Sequence, residues 1–224
     1  MNDDVKTRAI VLRRTNLGEA DRLIDFLTPS GRISALAKAV RKEKSRLAGG
    51  VELFSISEIQ VHHSVKTGRY TLTSAKMQKF YRHILENLNK LELASNALKA
   101  IEHASRDAES EAYFSILSQI LAYLDSAEAN LELAYTWFIL NLEHEKGNEL
   151  NLMFDNTGAK LTGDQTYTWD PMEMVLRPNP NGQIAANHIK FLRLLHVLPL
   201  KDCANIKDYN KLLLDVMQII RSMV

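Results

Sequence analysis

The residues best suited to chemistry in this chain form several near misses of catalytic patterns and one dense run of cations. His144-Glu145 opens like a zinc-protease helix, whose two histidines sit four residues apart on one face, but the second position is Asn148. Gly158-Ala159-Lys160-Leu161-Thr162-Gly163 has the spacing of a phosphate loop. Asp164 stands where a lysine must reach the phosphates, setting an anion against an anion. His62 and His63 are adjacent on an expected strand and point to opposite faces, a poor arrangement for a shared metal. His188 and His196 lie on one expected helix, roughly 12 Å apart along its axis, too far for one ion. Glu19, Asp21 and Asp25 form a carboxylate group with no partner acid or base beside it. Cys203 is the single cysteine, which removes a disulfide framework or a cysteine-clustered zinc site and leaves it a small core residue. No catalytic residue, metal or cofactor is expected. An enzyme of another class would have to use His62, His83 or the Asp21 and Asp25 carboxylates.

The strongest feature is Lys38-Ala39-Val40-Arg41-Lys42-Glu43-Lys44-Ser45-Arg46, five cations within nine residues, set between an expected strand and Gly49-Gly50. Like charges this close repel one another and need an anionic neighbour or full hydration. The segment reads as a mobile loop on a barrel rim, with Arg13, Arg14 and Arg32 continuing the patch and Arg69 and Tyr70 on the last strand. Small barrels hold single strands in a basic groove crossed by aromatic rings, phosphates on cations and bases on rings. Aromatics are sparse here, so phosphate contact is expected to dominate. A merely solvated basic loop is the plain alternative.

The charge is unevenly divided along the chain. The formal total is +1, yet residues 1–80 carry 15 Lys/Arg against 8 Asp/Glu, a net of +7, and residues 81–224 carry 13 against 19, a net of −6. A basic front half points to a polyanionic partner. Residues 1–6 are acidic and polar, without the basic-then-apolar order of a signal peptide. The longest apolar run, around 134–140, is interrupted by Thr136 and too short to span a bilayer. A cytoplasmic location without a membrane partner is expected.

The elements that must position these groups follow from periodicity. Strands are predicted over 7–15, 21–27, 33–40, 51–61 and 69–75, separated by turn signals such as Asn16-Leu17-Gly18, Pro29-Ser30-Gly31 and Thr67-Gly68. The apolar phase of the fourth slips at Leu53-Phe54 and before Ile59, as bulges in a curved strand would cause. Five short strands with little helix fit an OB-type barrel. Beyond Phe80, apolar residues recur at helical spacing from Ile84 to Ile101, Tyr113 to Leu124 and Leu131 to Leu142, with Gly147 as a stop. These stripes are one-sided and should pack as a bundle. Residues 148–183 are broken by glycines and prolines and hold one hairpin around 166–176, after which helix returns over 186–198 and 207–223.

The sequence resembles the RecO family of DNA repair proteins, in several places and in the right order. Ala9-Ile10-Val11-Leu12-Arg13-Arg14, Gly18-Glu19-Ala20-Asp21-Arg22-Leu23 and Gly31-Arg32-Ile33 look like that family's opening. Ala37-Lys38-Ala39-Val40-Arg41, leading to Lys44-Ser45-Arg46-Leu47, looks like its basic loop, and Leu72-Thr73 with Phe80 like the end of its barrel. Phe138-Ile139-Leu140-Asn141-Leu142, then Gly147 and Leu150, is similar to the helix before the family's zinc module. The resemblance covers nearly the whole chain, specific at the front and looser after Phe80. It departs from the family at two CxxC pairs that many members carry. The corresponding positions read Phe154-Asp155-Asn156-Thr157 and Arg177-Pro178-Asn179-Pro180, with no thiolate.

The resemblance implies an α+β fold: an OB-type nucleic-acid-binding barrel over 1–80, then a helical domain over 81–224 with an irregular metal-free segment at 148–183. Phe154, Trp169 and Leu176 are then left to form a small apolar core in that segment. It also implies a non-enzymatic recombination mediator that binds single- and double-stranded DNA, anneals complementary strands and works with RecR. Such a mediator contacts the tail of the single-stranded DNA-binding protein so that RecA can load. Annealing needs only a cationic surface that lowers repulsion between phosphate backbones and leaves base edges free. An acidic, aromatic-ended tail needs an apolar pocket with cations at its rim. Candidates are Lys190, Arg193 and Arg221, against Phe191, Leu194 or Tyr113. From the residues alone, an RNA-binding OB protein is the alternative.

Overall fold

Alternating inward and outward side chains draw the front of the chain into five strands of the computed structural model, which describes residues 3–106 and 111–223. These are β1 (Asp3–Leu17), β2 (Asp21–Thr28), β3 (Gly31–Ala37), β4 (Ser55–Ser64) and β5 (Arg69–Phe80). They close in the order β1-β2-β3-β5-β4, with β4 returning to β1 and only the β3–β5 seam parallel. This is an OB-type barrel. Strand β1 serves two neighbours: Asp3 to Ile10 pair with β4, and Ile10 to Leu17 pair with β2. A register shift between Val11 and Arg13 bends it from one sheet direction to the other. Val11, Ile24, Phe26, Ile59, Val61 and Leu72 fill the interior, joined by Val40 and Val51 from the long β3–β4 connection.

Two details of the barrel differ from the periodicity reading. Strand β4 keeps strict alternation, because Ser55 and Ser57 face inward with Ile59 and Val61. The irregularities lie opposite, on β5, where Gln78 and Thr73 are skipped as Ile56 and Ser57 pair with Lys79 and Met77, and Gln60 and Val61 with Ser74 and Leu72. Small inward side chains suit a crowded interior: a Cβ on Gly50 would lie 2.3 Å from the Ala75 carbonyl oxygen. Strand β3 also ends at Ala37 rather than running to 40. Ala39 takes a left-handed φ of 51°, and its N–H donates to Asp21 Oδ1 at 2.7 Å.

Helices α1 (Leu88–Ala104) and α2 (Glu111–Leu124) follow. Asn87 starts α1 by accepting the N–H groups of Asn89 and Lys90. The helices pack on each other, α1 on β1 and α2 on β2. Ile10, Leu12 and Leu27, which alternate with the interior residues, are buried as well. The chain forms two compact units, Met1–Ala127 and Glu128–Val224, and in the first α1 and α2 cover the barrel's outer apolar surface.

The second unit is built around α3 (Leu131–Glu145), which α4 (Ala186–Val197), α5 (Leu200–Cys203) and α6 (Tyr209–Arg221) surround. From Leu133 to Glu143 every residue of α3 except Tyr135 is buried, so this helix is central rather than one-sided. Its polar groups are paired internally: Trp137 Nε1 donates to the Leu198 carbonyl at 3.0 Å, and Asn141 Nδ2 to the Trp137 and Leu195 carbonyls. Strands β6 (Tyr167–Asp170) and β7 (Val175–Pro178) form the hairpin of the irregular segment. Among the described residues no helix is long and apolar enough to cross a membrane.

Asp25, on β2, locks the first unit together. It is 3% exposed and accepts from Arg13 Nε at 3.0 Å and Nη2 at 2.9 Å, from Arg32 Nη2 at 3.1 Å, and from the Ser34 hydroxyl. Glu102 of α1 approaches the same two guanidinium groups at 3.5 and 3.7 Å. Burial alone would raise the Asp25 pKa, but the Ser34 hydroxyl and the Arg32 and Arg13 charges outweigh it and hold the carboxyl below its usual range. A depressed folded pKa gives stability that is complete above the unfolded value, near about 4, and is lost as pH falls through the folded one. Asp25→Asn is expected to cost about 2 kcal/mol at pH 7. Circular dichroism melts of the two proteins should draw together as pH falls below the unfolded carboxylate range of about 4 and converge once the folded-state carboxyl is protonated.

Candidate nucleic-acid interface

The cations named from sequence separate into two groups. Arg13 and Arg32 are held by Asp25 and Glu102. Arg14 is paired with Glu52 at 2.8 Å and reaches the Val51 carbonyl. These three do not extend a free basic patch, because each faces a carboxylate on a neighbouring segment. Lys38, Arg41, Lys42, Lys44, Arg46 and Arg69 are all exposed, and among the described residues none has a carboxylate within ion-pair distance. Arg69 opens β5, whose next residues, Tyr70 and Thr71, lie level with Ala35 and Leu36 of β3. It thus stands on the strand beside the one that feeds the basic segment.

The basic segment is anchored rather than mobile. The Arg41 N–H donates to the Ala20 carbonyl at 2.9 Å, and the Arg41 guanidinium to the Gly18 carbonyl at 3.1 Å, tying the segment to the β1–β2 turn. Asp21 holds Ala39 from the same turn. Two further turns, Lys42 to Ala39 and Ser45 to Lys42, carry the chain to Gly50, wedged against Ala75. Tyr70 is no free stacking platform, since it packs on the barrel core and stacks with His63 at 4.6 Å. The surface offers exposed cations on an anchored backbone and few exposed rings.

The other chemistry-bearing residues have local roles. His62 bonds Asp4 at 2.8 Å. His188 accepts the Ala185 N–H and bonds Asp215 of α6, so it shapes the start of α4. Cys203 is buried, and burial with nearby Asp202 pushes its thiol up to about 11, far from nucleophilic use. Among the described residues no group of three or more His, Cys, Asp or Glu is placed to hold a metal ion.

In the second unit Lys190, Arg193 and Arg221 are exposed, while Phe191 is core and Tyr113 is buried in the first unit. Arg193 borders a cavity of about 680 Å³. Leu140 and His144 of α3, residues 149–154, and Arg193, His196 and Val197 of α4 line it. Arg193 donates through Nε and Nη2 to the Leu152 carbonyl, fastening the 149–154 segment to α4. Met153, Phe154 and Val197 are exposed there at 55%, 40% and 70%, an unusual concentration of bare apolar surface. Sequence inspection missed His144 with His196 as a pair, because they are distant in the chain and no spacing signals their approach.

Residues 1–81 match the family described as recombination protein O, N terminal. The DNA repair protein RecO of Dehalococcoides mccartyi strain CBDB1 is 31% identical over 227 residues, covering 98% of this chain and 88% of the relative. The chain belongs to the RecO family. The RecO of Roseiflexus sp. strain RS-1 is 33% identical over 131 residues, 58% of this chain and 46% of the relative. That of Desulfosudis oleivorans is 35% identical over 125 residues, 54% and 48%.

In this RecO-family chain side-chain oxygens organise the turns at 155–159 and 179–182. Asp155 Oδ1 accepts the Thr157 hydroxyl at 2.6 Å and the N–H groups of Thr157 and Ala159 at 2.8 and 3.1 Å. Thr157's hydroxyl, with these backbone donors and that of Gly158, holds the Asp155 carboxyl below its usual range. Asn179 Oδ1 likewise accepts the Asn181 N–H at the second turn. Trp169 and Leu176, directly paired across the hairpin, are buried, but Phe154 faces the cavity instead of joining them. Asp155→Ala is expected to lower the melting temperature by several degrees, whereas incubation with a strong chelator should leave the wild-type midpoint unchanged. Differential scanning calorimetry of both proteins with and without chelator checks this.

Proposed function

We propose that this chain is a non-enzymatic recombination mediator in DNA repair, which binds single- and double-stranded DNA through the cations of the barrel and anneals complementary strands. The observation that carries this reading is the set of exposed cations without carboxylate partners, Lys38, Arg41, Lys42, Lys44, Arg46 and Arg69, on an anchored segment and its neighbouring strand. Fixed cations neutralise phosphates with little ordering cost, and sparse rings leave the base edges free to pair. In this role the chain works with RecR and helps RecA load on single strands coated by their binding protein. The second-unit cavity suits the acidic, aromatic-ended tail of that binding protein: Met153, Phe154 and Val197 receive the ring and Arg193 stands at the rim. Since Arg193 also fastens the Leu152 carbonyl, its replacement would disturb the pocket wall as well as remove a charge.

The test is replacement of Arg41, Lys42, Lys44 and Arg46 together by alanine. Exposed charge changes usually alter stability by no more than about half a kcal/mol each, so the melt should stay close to wild type. If each of the roughly four cations neutralises one phosphate, log affinity against log salt should become shallower by about 3 units on single strands. Strand annealing should fall with it. A salt titration on mixed-sequence DNA oligonucleotides, repeated with RNA of equal length, measures both strength and preference. A variant that binds and anneals as well as wild type would reduce the segment to a solvated surface.

A further inference from the structure

At the mouth of the second-unit cavity, two histidines from different helices meet. His144, near the end of α3, and His196, near the end of α4, lie edge to face with ring centroids 4.1 Å apart and planes at 63°. Both rings reach solvent, unlike His188, which is buried with both nitrogens engaged. His144 Nδ1 bonds the Glu149 carboxylate at 2.8 Å, although the Glu149 side chain is itself 67% exposed and lies on the cavity lining. A carboxylate from the cavity wall therefore already occupies the imidazole.

The local charge balance explains what this arrangement does. The charged groups facing the pair are Glu145 of α3, Glu149 of the connecting segment and Arg193 of α4. With both rings neutral, one cation stands against two carboxylates, which is the wrong sign for an acidic ligand. Burial and the neighbouring His144 push His196 below its ordinary range, while Glu149 and Glu145 act in the opposite direction. A ligand carboxylate set against the rings would favour their charged form and reverse that balance.

We infer that the His144–His196 pair is the carboxylate-receiving element of this cavity, occupied by Glu149 in the free protein, and that an acidic peptide displaces Glu149 while the pair takes up a proton from solvent. The inference rests on the cavity being the seat of an acidic peptide. Apolar contacts at Met153 and Val197 are then sequence-tolerant, and the histidines make binding dependent on both ligand charge and pH.

Fluorescence anisotropy of the full-length protein with a labelled acidic peptide ending in phenylalanine tests this between about pH 5.5 and pH 7.5, where the peptide carboxylates stay ionised. Wild-type affinity should rise as pH falls, by up to about tenfold per pH unit where one proton is taken up. His196→Gln should flatten that profile. Glu149→Gln, at an exposed position that the fold does not need, should bind about threefold more tightly at pH 7.5, the scale of an exposed ion pair. A pH-independent wild type, a His196→Gln variant with the wild-type profile, or weaker binding by Glu149→Gln would overturn the inference while leaving the cavity as the peptide's seat. No peptide binding at any pH would overturn both.

Discussion

Asp25 is a carboxylate taken out of water, and an isolated buried charge is unstable unless its oxygens are answered by cations and hydrogen-bond donors. Three strands supply the answer: Arg13 from β1, and Ser34 and Arg32 from β3, with Asp25 itself on β2. Glu102 then brings α1 to the same guanidinium groups, and Arg106 of the following turn also contacts Glu102 at 3.1 Å. This node sorts the cations of the first unit. Those near α1 are neutralised internally and hold the helix against the barrel. Those beyond the end of β3 have no such partner among the described residues and stand exposed. Composition alone shows an excess of cations over carboxylates in residues 1–80; the placement of Asp25, Glu52 and Glu102 decides which cations form that excess.

The anchoring of residues 38–46 changes the physics expected of a basic loop. A free tether would lose conformational entropy on binding each phosphate. Here that loss has largely occurred on folding, through Asp21 holding Ala39, the β1–β2 turn holding Arg41, and Gly50 fitting against Ala75. Such a surface has shape and charge but little means of reading base edges, which is consistent with contact to DNA of any sequence.

Much of this was legible in the sequence, for reasons that can be named. Strand positions followed from period-two alternation and glycine turns, and the basic segment from its density of charge. The misreadings share one cause, which is that burial is set by neighbours the sequence does not show. Ser55 and Ser57 looked like a break in phase because polar residues usually face out, yet the crowded interior takes small side chains. The alternation of Ala35, Ala37 and Ala39 ran past the true end of β3, because a side chain on another turn, Asp21, captures the Ala39 N–H. The one-sided stripes of α1 and α2 were visible, but not that they pack on each other and on the barrel. Ion pairing involves Arg13, Arg14 and Arg32 in the same way: their partners lie on another strand, in the β3–β4 connection or on a helix.

The irregular segment of the second unit shows how turns can be held by side-chain oxygens alone. A thiolate bound to zinc commonly accepts backbone N–H groups while fixing the chain, and an Asp or Asn side chain at a turn can accept such donors alone. Asp155 and Asn179 do so here. What they cannot supply is the bond that ties the two turns to each other. The first turn is instead joined to the hairpin by the Asn156 N–H donating to the Leu176 carbonyl at 3.1 Å, and the hairpin to the end of α6 by Trp169 Nε1 donating to the Ser222 hydroxyl at 2.8 Å. With Phe154 released from any such core, its ring is free to line the cavity beside Met153, on a wall that Arg193 pins through Leu152. The turns of the irregular segment and the wall of the cavity thus involve neighbouring residues, so the shape of the cavity depends directly on how that segment packs.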